Sequence, residues 1–124
     1  MVNIEPKPGI MKIDLYEGGV SQLDGQDEVV KLSSNENPFG PSPKAVKAYS
    51  ISGKDLHRYP SMFHEQLREA ISIIFDLTPD NIICGVGSDE IISLLCQTFS
   101  GHGDEVIYTE HGFAMYKISA LAAG

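Results

Sequence analysis

The 124-residue sequence contains no tryptophan, only two cysteines, and only nine basic residues against seventeen acidic ones. Two cysteines without a C-x-x-C spacing argue against a disulfide framework or a zinc site, so we expect Cys84 and Cys96 to be buried free thiols. The four histidines also lack ligand spacing, and we expect no metal. Protein surfaces that bind nucleic acid need clustered Lys and Arg, so the net charge of −8 argues against a nucleic-acid partner.

Long apolar runs are also missing. No segment is long enough to span a bilayer, and two prolines interrupt the first ten residues, which therefore do not resemble a signal peptide. We expect a cytoplasmic protein that does not interact with a membrane. The sequence is 42% hydrophobic and 21% charged, which is typical of a soluble globular domain, and its length suffices for one hydrophobic core.

The most informative stretch of the sequence is 82–90. Its first three residues are apolar and predict a short buried strand, Gly85 and Gly87 predict a tight turn, and the apolar spacing that follows predicts a helix ending at Phe99. The first N–H groups of a helix lack partners and carry partial positive charge, so this turn could bind a phosphate monoester. Most such units bind nothing, and Asp89 would repel phosphate unless its side chain turns away or caps backbone amides.

The N-terminal quarter of the chain has little periodicity. Residues 1–30 predict an extended arm whose apolar side chains need a surface, either the body of the same chain or a partner subunit. Residues 29–32 predict a short strand, and 33–41 form a polar loop rich in turn residues. Within that loop, Asn35 and Asn37 offer donors and acceptors that suit a zwitterionic substrate.

Three further helices and one strand are predicted in the rest of the chain. Ser42 followed by Pro43 is typical of an N-cap and a first helical residue. Apolar residues at helical spacing predict an amphipathic helix over 63–77. Residues 105–108 predict a short strand, and 113–123 predict a further helix. Alternating strands and helices indicate a parallel α/β sheet, but so few strands would leave its edges unpaired. The sequence therefore resembles the opening of a larger α/β domain.

Four motifs occur in a characteristic order: LSSNENPFGP at 32–41, RYP at 58–60, GSDE at 87–90 and FAMY at 113–116. Together they resemble the N-terminal part of the histidinol-phosphate aminotransferases, which belong to the class-II pyridoxal-phosphate-dependent aminotransferases. The resemblance covers nearly the whole chain. It implies a fold-type I α/β transferase in which 1–30 is an N-terminal arm. Residues 31–124 would then be the N-terminal part of the pyridoxal-phosphate-binding large domain, with helices packed on an incomplete sheet.

The resemblance also implies where the cofactor, pyridoxal 5′-phosphate, is bound. Backbone groups of Ser88 and Asp89 would hold its phosphate, and Tyr59 would reach the phosphate of the neighbouring subunit in a homodimer. Phe113 would stack on the pyridine ring in place of the tyrosine that many relatives carry, which keeps the ring face but loses the hydroxyl. Without the resemblance, Phe113 would be interpreted as a core residue and Tyr59 as a surface aromatic.

The implied reaction exchanges an amino group between histidinol phosphate and the glutamate/2-oxoglutarate pair in histidine biosynthesis. Tyr16 would lie near the substrate, and Asn35 would line the substrate end of the pocket. The lysine that binds the cofactor covalently and moves the proton lies well downstream in this family, and none of the lysines here sits in a matching motif. The 124-residue chain alone is therefore expected to be inactive, and no catalytic residue is assigned.

Other functions remain open. A different pyridoxal-phosphate aminotransferase or an amino-acid phosphate decarboxylase would share the cofactor motifs. A non-catalytic module could bind a phosphorylated ligand, or a partner through an exposed sheet edge. Gly85 and Gly87 also start a dinucleotide fingerprint, but Glu90 replaces its third glycine, and Asp104 or Glu105 is only a loose candidate for the ribose-binding acid.

Overall fold

The computed structural model describes residues 4–19, 24–25, 29–32 and 34–124. In these ranges the chain forms four α-helices: α1 (Pro43–Ser52), α2 (Glu65–Phe75), α3 (Ser88–Phe99) and α4 (Ala114–Ala123). Short 3₁₀ turns occur at Ile10–Lys12, Gly53–Asp55 and Pro79–Asn81. The chain divides into two units, Glu17–Met62, which contains α1, and Met1–Tyr16 together with Phe63–Gly124, which contains α2, α3 and α4.

Helix α1 begins as its sequence predicts. Ser42 is the N-cap, and its Oγ accepts a hydrogen bond of 3.2 Å from the Ala45 N–H, which satisfies one of the unpaired donors of the first turn. Pro43 occupies the first helical position, where a missing N–H has no cost. The helix prediction at this point is confirmed.

Helix α2 confirms the helix predicted over 63–77, with ends two residues inside each limit. Its Arg68 reaches across to the following 3₁₀ turn: Nε and Nη2 donate to the Pro79 carbonyl oxygen at 2.8 and 2.6 Å, and Nη2 also contacts Asp80 Oδ1 at 3.1 Å. A planar guanidinium can make this forked contact, whereas a lysine cannot. Arg68 thereby attaches α2 to the segment that leads into residue 82.

The predicted strands are not formed. Residues 82–84 and 105–108 lie in irregular backbone, and so do 29–32. Ile82 has extended backbone angles, φ −115° and ψ 124°, but a strand also needs a neighbour with which to exchange hydrogen bonds. No such ladder exists within the described residues, so the strand predictions are wrong for this structure, and the incomplete sheet of the predicted α/β fold is not observed.

Helices α3 and α4 pack side by side and run parallel. The Ser93 and Ser119 hydroxyls, each the sixth residue of its helix, lie 3.0 Å apart. Beyond the C-terminal ends, Gly124 lies close to the backbone nitrogen of His102. One contact joins the middles of the two helices, and the other joins the segments at their C-terminal ends. The two N-termini therefore lie at the same end of the pair.

The interface between these helices also holds the most buried side chains. Among the described residues, only Cys96, Ala123 and Ser119 are buried. Both cysteines are free; Cys96 is buried as expected, but Cys84 is only half-buried. No helix in the described ranges is long and apolar enough to cross a membrane.

The first residues of the arm lie along α4. A Cβ at Gly9 would collide with the Leu121 carbonyl oxygen, and Lys117 Nζ contacts Asp14 Oδ2 at 3.4 Å. The arm therefore runs antiparallel to α4, from its C-terminal end towards its N-terminal end. This part of the arm uses the same chain as its surface. Residues 1–3, 20–23 and 26–28 of the predicted arm lie outside the described residues.

Candidate functional site

The turn before α3 has a backbone conformation that favours glycine. Gly87, the N-cap residue, has φ 97° and ψ 176°, and a side chain in this region is strained. Gly87 has no side chain with which to cap α3. Of the two arrangements expected for Asp89, capping of backbone amides is not observed, because its exposed carboxylate accepts no hydrogen bond from the described part of the chain.

A contact that the sequence analysis missed holds this turn in place. Glu90 Oε2 accepts a hydrogen bond of 2.7 Å from the Val86 N–H. From the sequence, Glu90 is interpreted as the residue that breaks a dinucleotide fingerprint and as the last residue of the GSDE motif, with no contact of its own. Its position, third in a helix after a glycine, is a signal for an acidic side chain that reaches back to the preceding backbone.

The two N–H groups that the sequence selects for phosphate binding are available. Ser88 and Asp89 are the first two helical residues, and their N–H groups have no acceptor within the described residues. A Cβ built on Gly87 meets no atom within 4 Å, so the space beside these donors is open. Two backbone donors at a helix N-terminus beside open space suit a phosphate monoester.

Phe113 lies at the same end of the helix pair. It is the N-cap residue of α4, and α4 runs parallel to α3. Its ring packs edge-on against Tyr116, with centroids 6.1 Å apart and planes at 87°. At 43% exposure Phe113 is not a core residue, and part of its side chain is accessible to a ligand.

Tyr16 belongs to the same unit. The arm passes Lys117 at Asp14, so its direction takes Tyr16 towards the N-terminal end of α4. The side chain is about half exposed. Four of the six predicted site residues, Ser88, Asp89, Phe113 and Tyr16, therefore belong to the unit of Met1–Tyr16 with Phe63–Gly124.

Tyr59 and Asn35 belong to the other unit, Glu17–Met62. Tyr59 is fully exposed, and its ring makes no aromatic contact within the described residues. In the polar loop, Asn37 Oδ1 accepts from the Phe39 N–H at 3.1 Å, and its Nδ2 donates to the Gly40 carbonyl oxygen at 3.2 Å. The exposed Asn35 side chain has no hydrogen-bond partner in the described ranges.

A cleft of about 920 Å³ lies at the opposite end of the helix pair. It is lined by the C-terminal ends of α3 and α4 and by arm residues that include Lys7 and Lys12. Since α3 has twelve residues, its two ends are about 18 Å apart. None of the six predicted site residues lines this cleft, and the described residues contain no group of three or more His, Cys, Asp or Glu placed to hold a metal.

Comparison with known families agrees with the motif pattern. The family model for aminotransferase class I and II matches residues 27–124, more than three quarters of the chain. The chain belongs to the aminotransferase class I and II family. This family is pyridoxal-phosphate-dependent and has the fold-type I architecture, although the described residues contribute helices and no strand.

The chain is most informatively compared with individual curated relatives in this aminotransferase family. The chain is 64% identical over its whole length to a histidinol-phosphate aminotransferase of Dinoroseobacter shibae, of which it covers 34%. It is 62% identical over 98% of its length to a histidinol-phosphate aminotransferase of Paracoccus denitrificans, of which it covers 33%. The chain thus spans about a third of the length of the curated relatives it matches. No solved structure matches it significantly.

Proposed function

We propose that this protein is a pyridoxal-phosphate-dependent aminotransferase of histidine biosynthesis. The whole enzyme interconverts histidinol phosphate and 2-oxoglutarate with imidazole acetol phosphate and glutamate. The observation that carries the proposal is the N-terminus of α3, where the Ser88 and Asp89 N–H groups have no acceptor and the family motif predicts a phosphate contact. The names of the close relatives support the substrate assignment.

The proposed cofactor-binding groups are two backbone N–H donors and one aromatic ring. The N–H groups of Ser88 and Asp89 donate to the phosphate oxygens, and charge-assisted bonds of this kind are stronger than neutral ones. Phe113 presents its ring face to the pyridine ring, a contact that needs no hydroxyl. Pyridoxal phosphate, when bound, acts as an electron sink for the amino-acid carbon whose proton is removed.

The remaining roles concern the substrate and the assembly. Tyr16 and Asn35 contact the substrate, and Tyr59 reaches the cofactor phosphate of the neighbouring subunit in a cytoplasmic homodimer. The full exposure of Tyr59 supports this role, because an aromatic ring without intramolecular contacts is free to pack on a partner. Residues 1–30 form the arm and 31–124 the start of the cofactor-binding domain.

The 124-residue chain itself is proposed to bind but not to catalyse. None of its lysines lies in a motif that matches the cofactor-binding lysine of the family. Without that amine, no group of this chain is assigned to move the proton between the substrate Cα and the cofactor C4′.

A titration with pyridoxine 5′-phosphate tests the phosphate site. This analogue has an alcohol where the cofactor has an aldehyde, so it does not react with lysine side chains. We expect saturable one-site binding by calorimetry, at least about tenfold tighter than that of pyridoxine, because only the phosphorylated ligand can accept the two charge-assisted hydrogen bonds. Amide NMR resonances of Ser88 and Asp89 should shift with the same saturation curve.

Equal affinities for pyridoxine 5′-phosphate and pyridoxine would contradict the proposed site. If binding shifts the resonances around Ser100, at the far end of α3, and not those of Ser88, the phosphate binds in the cleft and not at the proposed site. Inorganic phosphate serves as a competitor, and it should displace the phosphorylated ligand.

A further inference from the structure

Glu90 makes a contact for which the cofactor-binding roles give no reason. It is the third residue of α3, and its Oε2 accepts the Val86 N–H at 2.7 Å. In a common capping box, a glutamate at this position bonds the N–H of the N-cap residue. Here it reaches one residue further back, past Gly87. The bond therefore closes a ring of backbone that contains Gly87 and the two proposed phosphate donors, Ser88 and Asp89.

The carboxylate of Glu90 lies beside the backbone of Gly85. A Cβ built on Gly85 would lie 2.5 Å from Glu90 Oε2 and 3.1 Å from Ile91 Cδ1. The backbone of Gly85 lies outside the left-handed region, so an alanine there is not strained by its φ angle. A methyl group at residue 85 would instead push the carboxylate away from the Val86 N–H.

Charge alone predicts the opposite of what the geometry indicates. A carboxylate in the first turn of α3 repels a phosphate bound at the same helix end, so removing its charge should tighten phosphate binding. An acceptor that holds the turn should have the reverse effect, because losing it lets the donors reorient. The two effects are separable, since glutamine keeps the acceptor oxygen and loses the charge.

We infer that Glu90 is a positioning residue of the cofactor-phosphate site. By holding the Val86 N–H, it fixes the turn so that the N–H groups of Ser88 and Asp89 point at one ligand. This inference rests on the proposed function, because it assigns the ordered turn to phosphate binding. Glu90 does not touch the ligand and takes no part in the chemistry.

The first test compares E90A with E90Q, using calorimetric titration of the full chain with pyridoxine 5′-phosphate. E90A should weaken binding about fivefold, the effect of one lost hydrogen bond of about 1 kcal/mol, while E90Q should bind as tightly as the wild type or more tightly. E69A is the matched control, since Glu69 is an exposed glutamate inside α2 whose loss changes the charge equally. Its affinity should match that of the wild type.

The second test displaces the carboxylate without removing it. G85A keeps the charge of Glu90, so it should weaken pyridoxine 5′-phosphate binding as E90A does. Hydrogen exchange of the Val86 amide should accelerate about fivefold in both variants and remain slow in E90Q. This exchange rate reports on the turn in the absence of any ligand, and circular dichroism checks that the helices persist.

The outcomes separate the inference from the proposed function. If the wild type prefers pyridoxine 5′-phosphate but E90A binds it at least as tightly as E90Q does, Glu90 acts only through its charge and the inference is wrong. Unchanged Val86 exchange in E90A and G85A would overturn it equally. If the wild type does not distinguish pyridoxine 5′-phosphate from pyridoxine, the proposed phosphate site fails, whatever the variants do.

Discussion

Gly87 is the residue whose replacement should most directly damage the proposed phosphate site. Its φ of 97° and ψ of 176° lie in a region that is almost exclusive to glycine, and holding another residue there costs roughly 1–3 kcal/mol. We expect Gly87→Ala to weaken pyridoxine 5′-phosphate binding roughly tenfold, because about 1.4 kcal/mol corresponds to a factor of ten. A Cβ at this site meets nothing within 4 Å, so the loss would come from backbone strain and not from a steric clash.

Gly53→Ala is the control for this prediction. Gly53 has φ −56° and ψ −24°, and a Cβ there also meets nothing within 4 Å, so alanine should be tolerated. Calorimetric affinity of the two variants for pyridoxine 5′-phosphate is the comparison. Wild-type affinity in Gly87→Ala would show that the turn does not need its left-handed conformation to bind.

Single residues were predictable from the sequence where the signal is local. The Ser42 cap, the turn glycine at residue 87 and the two N–H donors after it all follow from short-range backbone rules. The contact of Glu90 was missed because the motif was compared with a dinucleotide fingerprint and not with a helix cap. The half-buried state of Cys84 was not predictable, since burial depends on distant parts of the chain.

The helices were predictable for the same reason, and the strands were not. Apolar spacing and an N-cap specify a helix within one segment, so α1 begins at its predicted residue, and α2 and α4 form close to their predicted limits. A strand is completed only by hydrogen bonds to another segment, and apolar composition at 82–84 or 105–108 does not provide that partner. The parallel packing of α3 on α4 is equally non-local, and no sequence pattern predicted the Ser93–Ser119 contact.

The arm segment should detach from α4 when Gly9 acquires a side chain. In Gly9→Ala the new methyl group would collide with the Leu121 carbonyl oxygen, which is backbone and cannot rotate away. Amides protected by the local turn, such as those of Lys12 and Ile13, should then exchange several-fold faster by NMR. Gly18→Ala is the matched control, because a Cβ there meets nothing within 4 Å. Equal exchange in both variants would mean that the arm does not pack against α4.

The distribution of apolar and charged residues over the chain predicts salt-dependent self-association. Large apolar side chains are almost completely exposed, including Leu32 at 88%, Phe39 at 94% and Ile107 at 96%. The net charge of −8 opposes contact between copies, and raising the salt to about 0.15 M shortens the Debye length to about 8 Å. We expect the weight-average mass by sedimentation to rise with salt. A mass that falls with salt would indicate contacts between charges instead.

The contact between the arm and α4 also fixes an order of events in time. The arm is made before α4, yet its surface includes Leu121 and Lys117, about a hundred residues later. At a synthesis rate of about 5–20 residues per second, α4 emerges roughly 5–20 s after the arm. Throughout that interval, Gly9 and Asp14 have no α4 to contact. The arm therefore reaches its final position only after α4 has been made, and until then it is open to chaperones and proteases.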